Sequence, residues 1–538
     1  MRSTYWPALA LGLAGVLSLP VLVVLSRVTA DSEGVWQHLA ATVLPEYVKN
    51  SALLLVGVGG GVTAIGVGCA WLVTMYTFPG RRWLTWALLL PLAMPTYLMA
   101  YTYTDLLQYS GPVQTTLRDA FGWRRGDYWF PEIRSVSGAV VIFSLALFPY
   151  VYLLVRAAFL SQSQTVLEVS RTLGRGPVRT FWTVALPLAR PAIAAGTSLA
   201  LMETLAEYGA VDYFAVDTFT TGIYRTWTSL ASPEAAAQLA SVLVLVVLVL
   251  LVFERLARGR ARYDASARDV RPVRPIELTG LRGIAASAIC AAPILGGFLV
   301  PAGVLARLAL GRSHTARVPD LLSVTSNTVL LAAVTSALLV AFGTLIAYGV
   351  RVSGGRLVRG AARVVSLGYA VPGSVVAVGV LVTLSQLTAL AGVFAGGTLI
   401  GLVYAYSVRL SAVSVQALDA GLQKIDPAID DAARTLGAAP SGVLRRVHLP
   451  LLRGSLLTAG LLVFVDVMKE LPATMIMRPF DFDTLAVRVH RYASDERLAQ
   501  AALPALLIVA AGLGPVVVLS RGLDRTGRGA AAKRPRAF

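Results

Sequence analysis

Long apolar runs alternate with short polar segments along the whole chain. We count twelve runs, at roughly 7–27, 51–76, 83–104, 136–156, 191–208, 239–254, 283–308, 327–350, 364–384, 396–415, 454–470 and 501–519. A helix of about 20 apolar residues spans the hydrocarbon core of a bilayer. The pattern therefore predicts an all-α integral membrane protein with about twelve transmembrane helices. The fifth and eleventh runs are the weakest, because each contains acidic residues.

The composition agrees with this interpretation and excludes two other classes. Of the 538 residues, 56% are hydrophobic and 14% are charged, whereas soluble domains carry about 25% charged residues. Disordered chains need low hydrophobicity, so that class is excluded as well. Cys69 and Cys290 lie inside apolar runs, and they indicate neither a disulfide framework nor a metal site.

The positive charges predict the orientation of the chain. Lys and Arg number 47 against 29 Asp and Glu, a net charge of +18. With the N-terminus in the cytoplasm, the predicted inner segments hold 32 basic and 10 acidic residues, and the remainder holds 15 and 19. This bias of +22 against −4 fits the positive-inside rule, so both termini are expected to be cytoplasmic. Without aromatic interleaving or a soluble fold, the Arg-rich stretch 254–282 does not indicate nucleic-acid binding.

The first run has two possible interpretations. Arg2, an apolar stretch and the sequence Val28-Thr29-Ala30 would suit a cleaved signal peptide. A retained anchor is preferred, because the run is long for a signal peptide and the second half has an equivalent run at 283–308.

The chain contains an internal repeat. Residues 168–187 read EVSRTLGRGPVRTFWTVALP and residues 431–450 read DAARTLGAAPSGVLRRVHLP, with 8 of 20 positions identical at an offset of 263. An earlier block repeats at an offset of 277 and pairs Gly66 with Gly343. Two related halves of six spans each are therefore expected, related by an axis along the membrane normal.

The repeat divides the chain into four predicted parts. The first half covers 1–253 with a functional loop at about 160–190, and the second covers 283–520 with its loop at about 423–453. An Arg- and Pro-rich cytoplasmic linker, 254–282, joins them, and a basic cytoplasmic tail, 521–538, follows.

The repeated block predicts a helix–turn–helix on the cytoplasmic side in each half. Gly174 and Gly437 permit a left-handed turn after a short helix. Pro187 and Pro450 mark the entry to the next span, where a missing N–H costs little. The spacing from acid to glycine is 6 residues and from glycine to proline 13 in both halves, which is unusual for an arbitrary loop.

This block resembles the EAA loop in permease subunits of bacterial ATP-binding-cassette importers. The resemblance implies the type I importer permease fold, a bacterial inner-membrane location and a coupling helix that docks into a groove on an ATPase. The first dock would use Glu168, Gly174 and Pro187. The second would use Asp431, Ala432, Ala433, Gly437 and Pro450, with Asp431 in place of the usual Glu.

Two further segments narrow the resemblance. Residues 206–227, AEYGAVDYFAVDTFTTGIYRTW, and 469–494, KELPATMIMRPFDFDTLAVRVHRYAS, look like the fused, double-length permeases for ferric iron. Fused permeases for thiamine, aminoethylphosphonate and polyamines share this architecture, so they remain alternatives. The resemblance also implies a separate substrate-binding protein outside the membrane.

ATP binding and hydrolysis are expected on another polypeptide. A phosphate-binding loop needs Gly-x4-Gly-Lys-Ser/Thr, and none of Lys49, Lys424, Lys469 and Lys533 follows a glycine. The chain is therefore predicted to be no enzyme and to bind no cofactor. Two docking loops imply two copies of an ATPase that uses ATP.

Four acids in the spans are candidates for the translocation path. Glu203 and Glu207 lie four residues apart on one helix face, and Asp466 and Glu470 repeat the pair. Charges in membrane helices usually line a path or pair with each other, and carboxylates suit a hard cation. Alternatively, Glu207 and Glu470 end their helices near the interface and are neutralised by Lys469 or Arg225. The scattered histidines His38, His314, His448 and His490 are assigned no metal role.

Two other function classes were compared with the permease. An ion-driven secondary transporter with parallel repeats would account for the doubled layout and the buried acids, but not for the duplicated cytoplasmic loop. A membrane enzyme is disfavoured by the lack of paired His motifs, a nucleophile elbow or a phosphate loop in the sequence.

Overall fold

The computed structural model describes residues 5–161, 176–258, 275–311, 318–391 and 397–532. Four predicted features fall partly or wholly outside these ranges: the first coupling loop with Glu168 and Gly174, most of the linker, His314, and the end of the basic tail. The predicted basic tail is described only as far as residue 532.

Helices account for nearly all of the described chain. The first half contains α1 (Tyr5–Ser26), α2 (Val35–Thr42), α3 (Leu44–Met75), α4 (Arg81–Ala87), α5 (Thr96–Leu107), α6 (Pro112–Phe121), α7 (Val136–Ser161), α8 (Pro177–Thr180), α9 (Leu186–Ala206), α10 (Gly209–Tyr213), α11 (Phe219–Thr228) and α12 (Pro233–Arg258). A 3₁₀ turn at Leu90–Ala93 and a π turn at Phe181–Ala185 join neighbouring helices.

The second half continues in the same manner. It contains α13 (Gly280–Ile294), α14 (Val300–Leu310), α15 (Val318–Ser353), α16 (Arg356–Ser366), α17 (Gly373–Ala391), α18 (Leu399–Leu422), α19 (Pro427–Thr435), α20 (Pro440–Val443), α21 (Leu449–Leu451), α22 (Arg453–Lys469), α23 (Pro472–Met477), α24 (Leu485–Ser494) and α25 (Leu498–Ala532). Two π turns, Leu295–Leu299 and Leu444–His448, and a 3₁₀ turn, Gly368–Ala370, lie between them.

The predicted all-α membrane fold is confirmed. By length and composition, nine helices in the described part of the chain can cross a membrane, and twelve spans result if each of three bent pairs counts as one. The bent pairs lie at three predicted spans and turn by 93°, 117° and 76°. Backbone groups in lipid must be paired within the segment, which favours helices throughout these runs.

Prolines account for two of the three bends. Met94 and Val371 each precede a proline and are extended, with ψ of 106° and 125°. A residue before proline is pushed out of the helical region by the proline ring. The helices α5 and α17 therefore begin after the prolines, at Thr96 and Gly373. These two positions correspond to each other in the internal repeat, at the offset of 277.

The described chain forms two compact units, which we call the N-unit and the C-unit. The N-unit comprises Glu46–Thr218, Val246–Ser313 and Val516–Phe538. In it, α7 packs against α9, and α13 packs beside α4. A two-residue parallel ladder pairs Tyr76 with Ile276 and Thr77 with Glu277 (strands β1, Tyr76–Thr77, and β2, Ile276–Glu277). The helix pair α13 and α14 thus belongs to the unit built mainly from the first half.

The C-unit comprises Met1–Pro45, Phe219–Leu245 and His314–Pro515. Its central helices α15, α18 and α22 pack on one another, and α1 packs against α15, α16 and α17. One core cluster joins α1 to this bundle through Ala14, Leu17, Ile346, Val365 and Val415. The first span therefore packs with the second half of the chain, an arrangement that hydropathy does not reveal.

The internal repeat is visible in matched packing contacts. A Cβ added at Gly66 of α3 would meet Val151 of α7 at 2.7 Å, so only glycine allows this approach. In the C-unit, a Cβ at the matched Gly343 of α15 would meet Ser414 of α18 at 2.6 Å. Val151 and Ser414 are themselves matched at the offset of 263. Small residues permit such close helix approach in membranes.

Candidate coupling segments and buried carboxylates

The second coupling segment is described in full, and its helix is delimited by local sequence signals. Asp426 caps α19 because its carboxylate accepts a hydrogen bond from the Ala428 N–H at 2.9 Å. Pro427 occupies the first turn, where its missing N–H is not needed. Gly437 ends the helix with φ of +78°, a left-handed conformation that other residues adopt at a cost. The predicted helix and glycine turn are therefore present at 427–437.

The chain then turns into the next span. Pro440 begins α20, the π turn Leu444–His448 follows, and Pro450 lies in the short α21. The segment Pro440–Leu451 meets Arg453–Lys469 at 76°. The π turn Phe181–Ala185 lies at the matched position ahead of Pro187 in α9. The repeat thus extends to local backbone geometry, and π turns are frequent at functional sites.

One face of α19 is open to solvent. Asp431 and Arg434 pair weakly across 3.4 Å with side chains 73% and 57% exposed. Leu436 is 88% exposed, and Ile429 is also exposed. Ala432 is exposed and Ala433 half-buried. Exposed apolar side chains bordered by charges are typical of a protein-binding surface.

The opposite face of α19 is held by a buried polar cluster that sequence reasoning missed. Asp430, the residue before the predicted docking residue Asp431, points inward. Its Oδ2 accepts a hydrogen bond from Nε of Arg351 at 2.7 Å, and its Oδ1 lies 2.8 Å from Nε2 of His448. His448 is fully buried. A single sequence cannot show which of two adjacent aspartates faces inward.

Less of the first coupling segment can be placed. Within the described residues after position 175, Phe181 packs on Trp71 of α3 with ring centroids 4.9 Å apart. Trp71 also contacts Phe159 of α7 edge-on at 5.4 Å. Val178 and Trp182 are exposed. This part of the N-unit therefore attaches to α3 through aromatic rings.

Glu470 occupies a helix break in the C-unit. It follows α22, and its carboxylate accepts hydrogen bonds from the N–H groups of Ala473 and Thr474, both at 3.1 Å, at the start of α23. The Thr474 hydroxyl donates to it at 2.8 Å and Arg409 at 3.3 Å. Four donors fill most of the acceptor capacity of a carboxylate. These contacts are those of a capping residue.

Glu207 occupies the matched break in the N-unit. It follows α9, and its Oε1 accepts a hydrogen bond from the Ala210 N–H in α10 at 3.0 Å. The Thr96 hydroxyl donates to Oε2. At the position matched to Thr96, a Cβ on Gly373 would lie 2.5 Å from Oε1 of Glu470. In each unit, therefore, a proline-broken span places its bend against this carboxylate.

The other two candidate path acids differ from these. Asp466 forms an ion pair with Lys469 at 2.9 Å, so Lys469 is engaged with Asp466. Glu203 is half-buried in α9. No group of three or more metal-ligating side chains is present among the residues that the structure covers. The role of all four acids in a path remains a prediction.

The helical spans, the internal repeat and the open face of α19 are features of a multi-pass membrane transport subunit. The chain matches the family described as "Binding-protein-dependent transport system inner membrane component" over residues 62–262 and 339–525. It therefore belongs to this family of ABC transporter permeases, whose members are non-enzymatic membrane subunits.

Named relatives extend the match over the full chain. The chain is 27% identical over 529 residues to the Fe(3+)-transport system permease protein FbpB 2 of Haemophilus influenzae, covering 97% of this chain and 99% of that protein. It is 25% identical to the ferric transport system permease protein FbpB of Actinobacillus pleuropneumoniae, and this match covers 72% of this chain and 58% of that protein. It is 31% identical to the molybdenum transport system permease protein ModB of Escherichia coli K12, and this match covers 36% of this chain and 87% of that protein.

Proposed function

We propose that this chain supplies both halves of the permease of an importer for ferric iron, driven by a separate ATPase. The observation that carries the proposal is the second coupling segment. Its α19 has an open face with Leu436 and Ile429 exposed, and a buried face anchored to the spans. A matched block in the first half supports two such segments in one chain.

The ATPase is the partner that fits this face. The sequence lacks a phosphate-binding loop, so hydrolysis is assigned to another polypeptide. Two coupling segments suit two copies of it, and this chain itself would bind no cofactor. The positive-inside charge bias favours a cytoplasmic location for both segments and both termini, where an ATPase would be available.

The mechanism follows from what the segments connect. ATP binding would draw the two ATPases together and displace the coupling helices. Because α19 contacts the spans through Asp430, Arg351 and His448, its displacement would switch the permease between inward-open and outward-open states. A substrate-binding protein outside the membrane would deliver the cargo, and hydrolysis would reset the cycle. The bilayer surrounds the spans throughout this cycle.

Ferric iron is favoured as the substrate because the similarity to a Fe(3+)-transport permease extends over nearly the full length of both chains. The similarity to a molybdenum permease covers 36% of this chain. Thiamine, aminoethylphosphonate and polyamine permeases remain alternatives.

The substrate is tested by uptake in a bacterial strain that lacks its own ferric importer. Cells that carry this chain with its neighbouring transporter genes are expected to accumulate radioactive ⁵⁵Fe(III), and unlabelled ferric iron, but not molybdate or thiamine, should compete. Competition by molybdate or thiamine instead would overturn the iron assignment.

The same assay tests the proposed path. Replacing Glu203 by Gln together with Asp466 by Asn is expected to lower ⁵⁵Fe(III) uptake by about tenfold, which corresponds to about 1.4 kcal/mol of lost cation interaction. Asp481→Asn, a change at an exposed residue of the C-unit, serves as the control. ATPase co-purification should not change. Uptake at the unmodified level in the double variant would remove these acids from the path.

A further inference from the structure

The last turn of α15 contacts three consecutive parts of the second coupling segment. Arg351 donates to the carbonyl of Leu422, the last residue of α18, and to that of Ile425 at 3.0 Å. The same guanidinium binds Asp430 in α19. Tyr348, one turn earlier, donates its hydroxyl to the carbonyl of Pro440 at 2.6 Å. One turn of a spanning helix thus binds the segment before, within and after its docking helix.

The cluster is closed on its other side by His448. The imidazole lies against the Asp430 carboxylate and packs on the Tyr348 ring with centroids 5.5 Å apart. His448 belongs to the π turn that leads into α22. Asp430 therefore connects α15 to the start of the next span through the docking helix.

The first half has different residues at the matched positions. At the offsets of 277 and 263, Arg351, Asp430 and His448 correspond to Thr74, Leu167 and Ala185, and Tyr348 corresponds to Trp71. No ionisable side chain stands at any of these four positions in the first half. Trp71 instead packs on Phe181. The residues that form the ionic cluster in the second half are therefore not repeated at the matched positions of the first half.

Burial separates this cluster from the docking surface. Asp430 and His448 are buried, whereas the adjacent Asp431 projects from the open face with 73% of its side chain exposed. A buried ion pair fixes geometry because separating its members leaves an uncompensated charge. Asp430 is thus suited to transmit the movement of α19, and Asp431 to meet the partner.

We propose that Asp430, with Arg351 and His448, is a positioning group that makes α19 move as one body with α15 and α22, so that displacement of the second coupling helix reaches the spans. This inference rests on the proposed function, since it assumes that an ATPase moves α19. It assigns the second segment an ionic linkage through Arg351, Asp430 and His448.

The test compares adjacent aspartates in the full complex reconstituted in proteoliposomes with its ATPase and substrate-binding protein. Two quantities are measured: the ATPase retained per permease, and the ⁵⁵Fe(III) imported per ATP hydrolysed. Asp430→Asn should retain ATPase near the unmodified level, while import per ATP falls by about 5-fold or more, in the usual range of coupling energies. Asp431→Asn should lower ATPase retention without lowering import per ATP in the complexes that remain.

A double variant keeps the test decisive if Asp430→Asn folds poorly. Asp430→Asn with Arg351→Gln removes both charges, so it should be less impaired than the sum of the single changes if the two residues act as a pair. Arg356→Gln, at an exposed position in α16, is the unchanged control.

The two failures are distinguishable. If Asp430→Asn imports as much iron per ATP as the unmodified chain, or if the two charges act additively, the positioning role is wrong. If Asp430→Asn loses the ATPase as Asp431→Asn does, Asp430 belongs to the docking surface instead. If the unmodified chain retains no ATPase, the proposed function itself fails.

Discussion

Alanine in place of Glu470 is expected to lower the free energy of unfolding by about 3–5 kcal/mol, because removing one partner of a buried ion pair leaves the other charge uncompensated. Glu470 is 4% exposed, and its carboxylate is the acceptor for Arg409 and for the first N–H groups of α23. Alanine removes all of these bonds at once.

Thermal denaturation in detergent, followed by the loss of the monodisperse peak in gel filtration, measures this effect. Glu470→Ala should lower the midpoint strongly, and Glu470→Gln should fall between, since its carbonyl oxygen can still accept hydrogen bonds. Asp481→Ala, at an exposed site in the same unit, should leave the midpoint unchanged. Equal midpoints for Glu470→Ala and Asp481→Ala would show that the carboxylate does not stabilise the helix break.

Aspartate in place of Leu436 is expected to abolish ATPase binding to the second coupling segment. Leu436 is 88% exposed in the isolated chain, so the change costs the fold little. Burial of a leucine in a partner's groove contributes about 1.5–3 kcal/mol, and an unpaired carboxylate there adds a further penalty. We therefore expect at least a tenfold loss of ATPase in co-purification.

Two further variants separate docking from folding. Leu436→Met should retain binding, because it keeps an apolar side chain of similar volume. Gly437→Val should weaken binding, because a β-branched residue is strained at φ of +78° and would distort the end of α19. Full ATPase retention by Leu436→Asp would show that this face of α19 is not the docking surface.

Sequence patterns were sufficient for the spans and for the repeated segment. Each of the twelve predicted runs coincides with a candidate span. The reason is that a helix must be apolar over about 20 residues to cross the hydrocarbon core of a bilayer. The turn at Gly437 was predictable because a left-handed backbone conformation at the end of a helix favours glycine. The bends at Pro95 and Pro372 were foreseeable from proline chemistry, although no bend was predicted there.

Tertiary contacts were not predictable from one sequence. Nothing in the composition of α1 shows that it packs with α15 to α17, because lipid-facing and protein-facing apolar residues look alike. The inward-facing role of Asp430 depends on Arg351, which lies 79 residues away along the chain. Likewise, Glu470 and Arg409 are 61 residues apart, so local patterns could not pair them.

The energy source is the central claim, and import into proteoliposomes tests it most directly. The permease is reconstituted with its ATPase and substrate-binding protein, and ⁵⁵Fe(III) import is measured with ATP, without ATP, and with only a proton or sodium gradient. The account predicts import with ATP alone, and none when a catalytically inactive ATPase is used. Import driven by an ion gradient in the absence of the ATPase would contradict it, and would identify the chain as a secondary transporter.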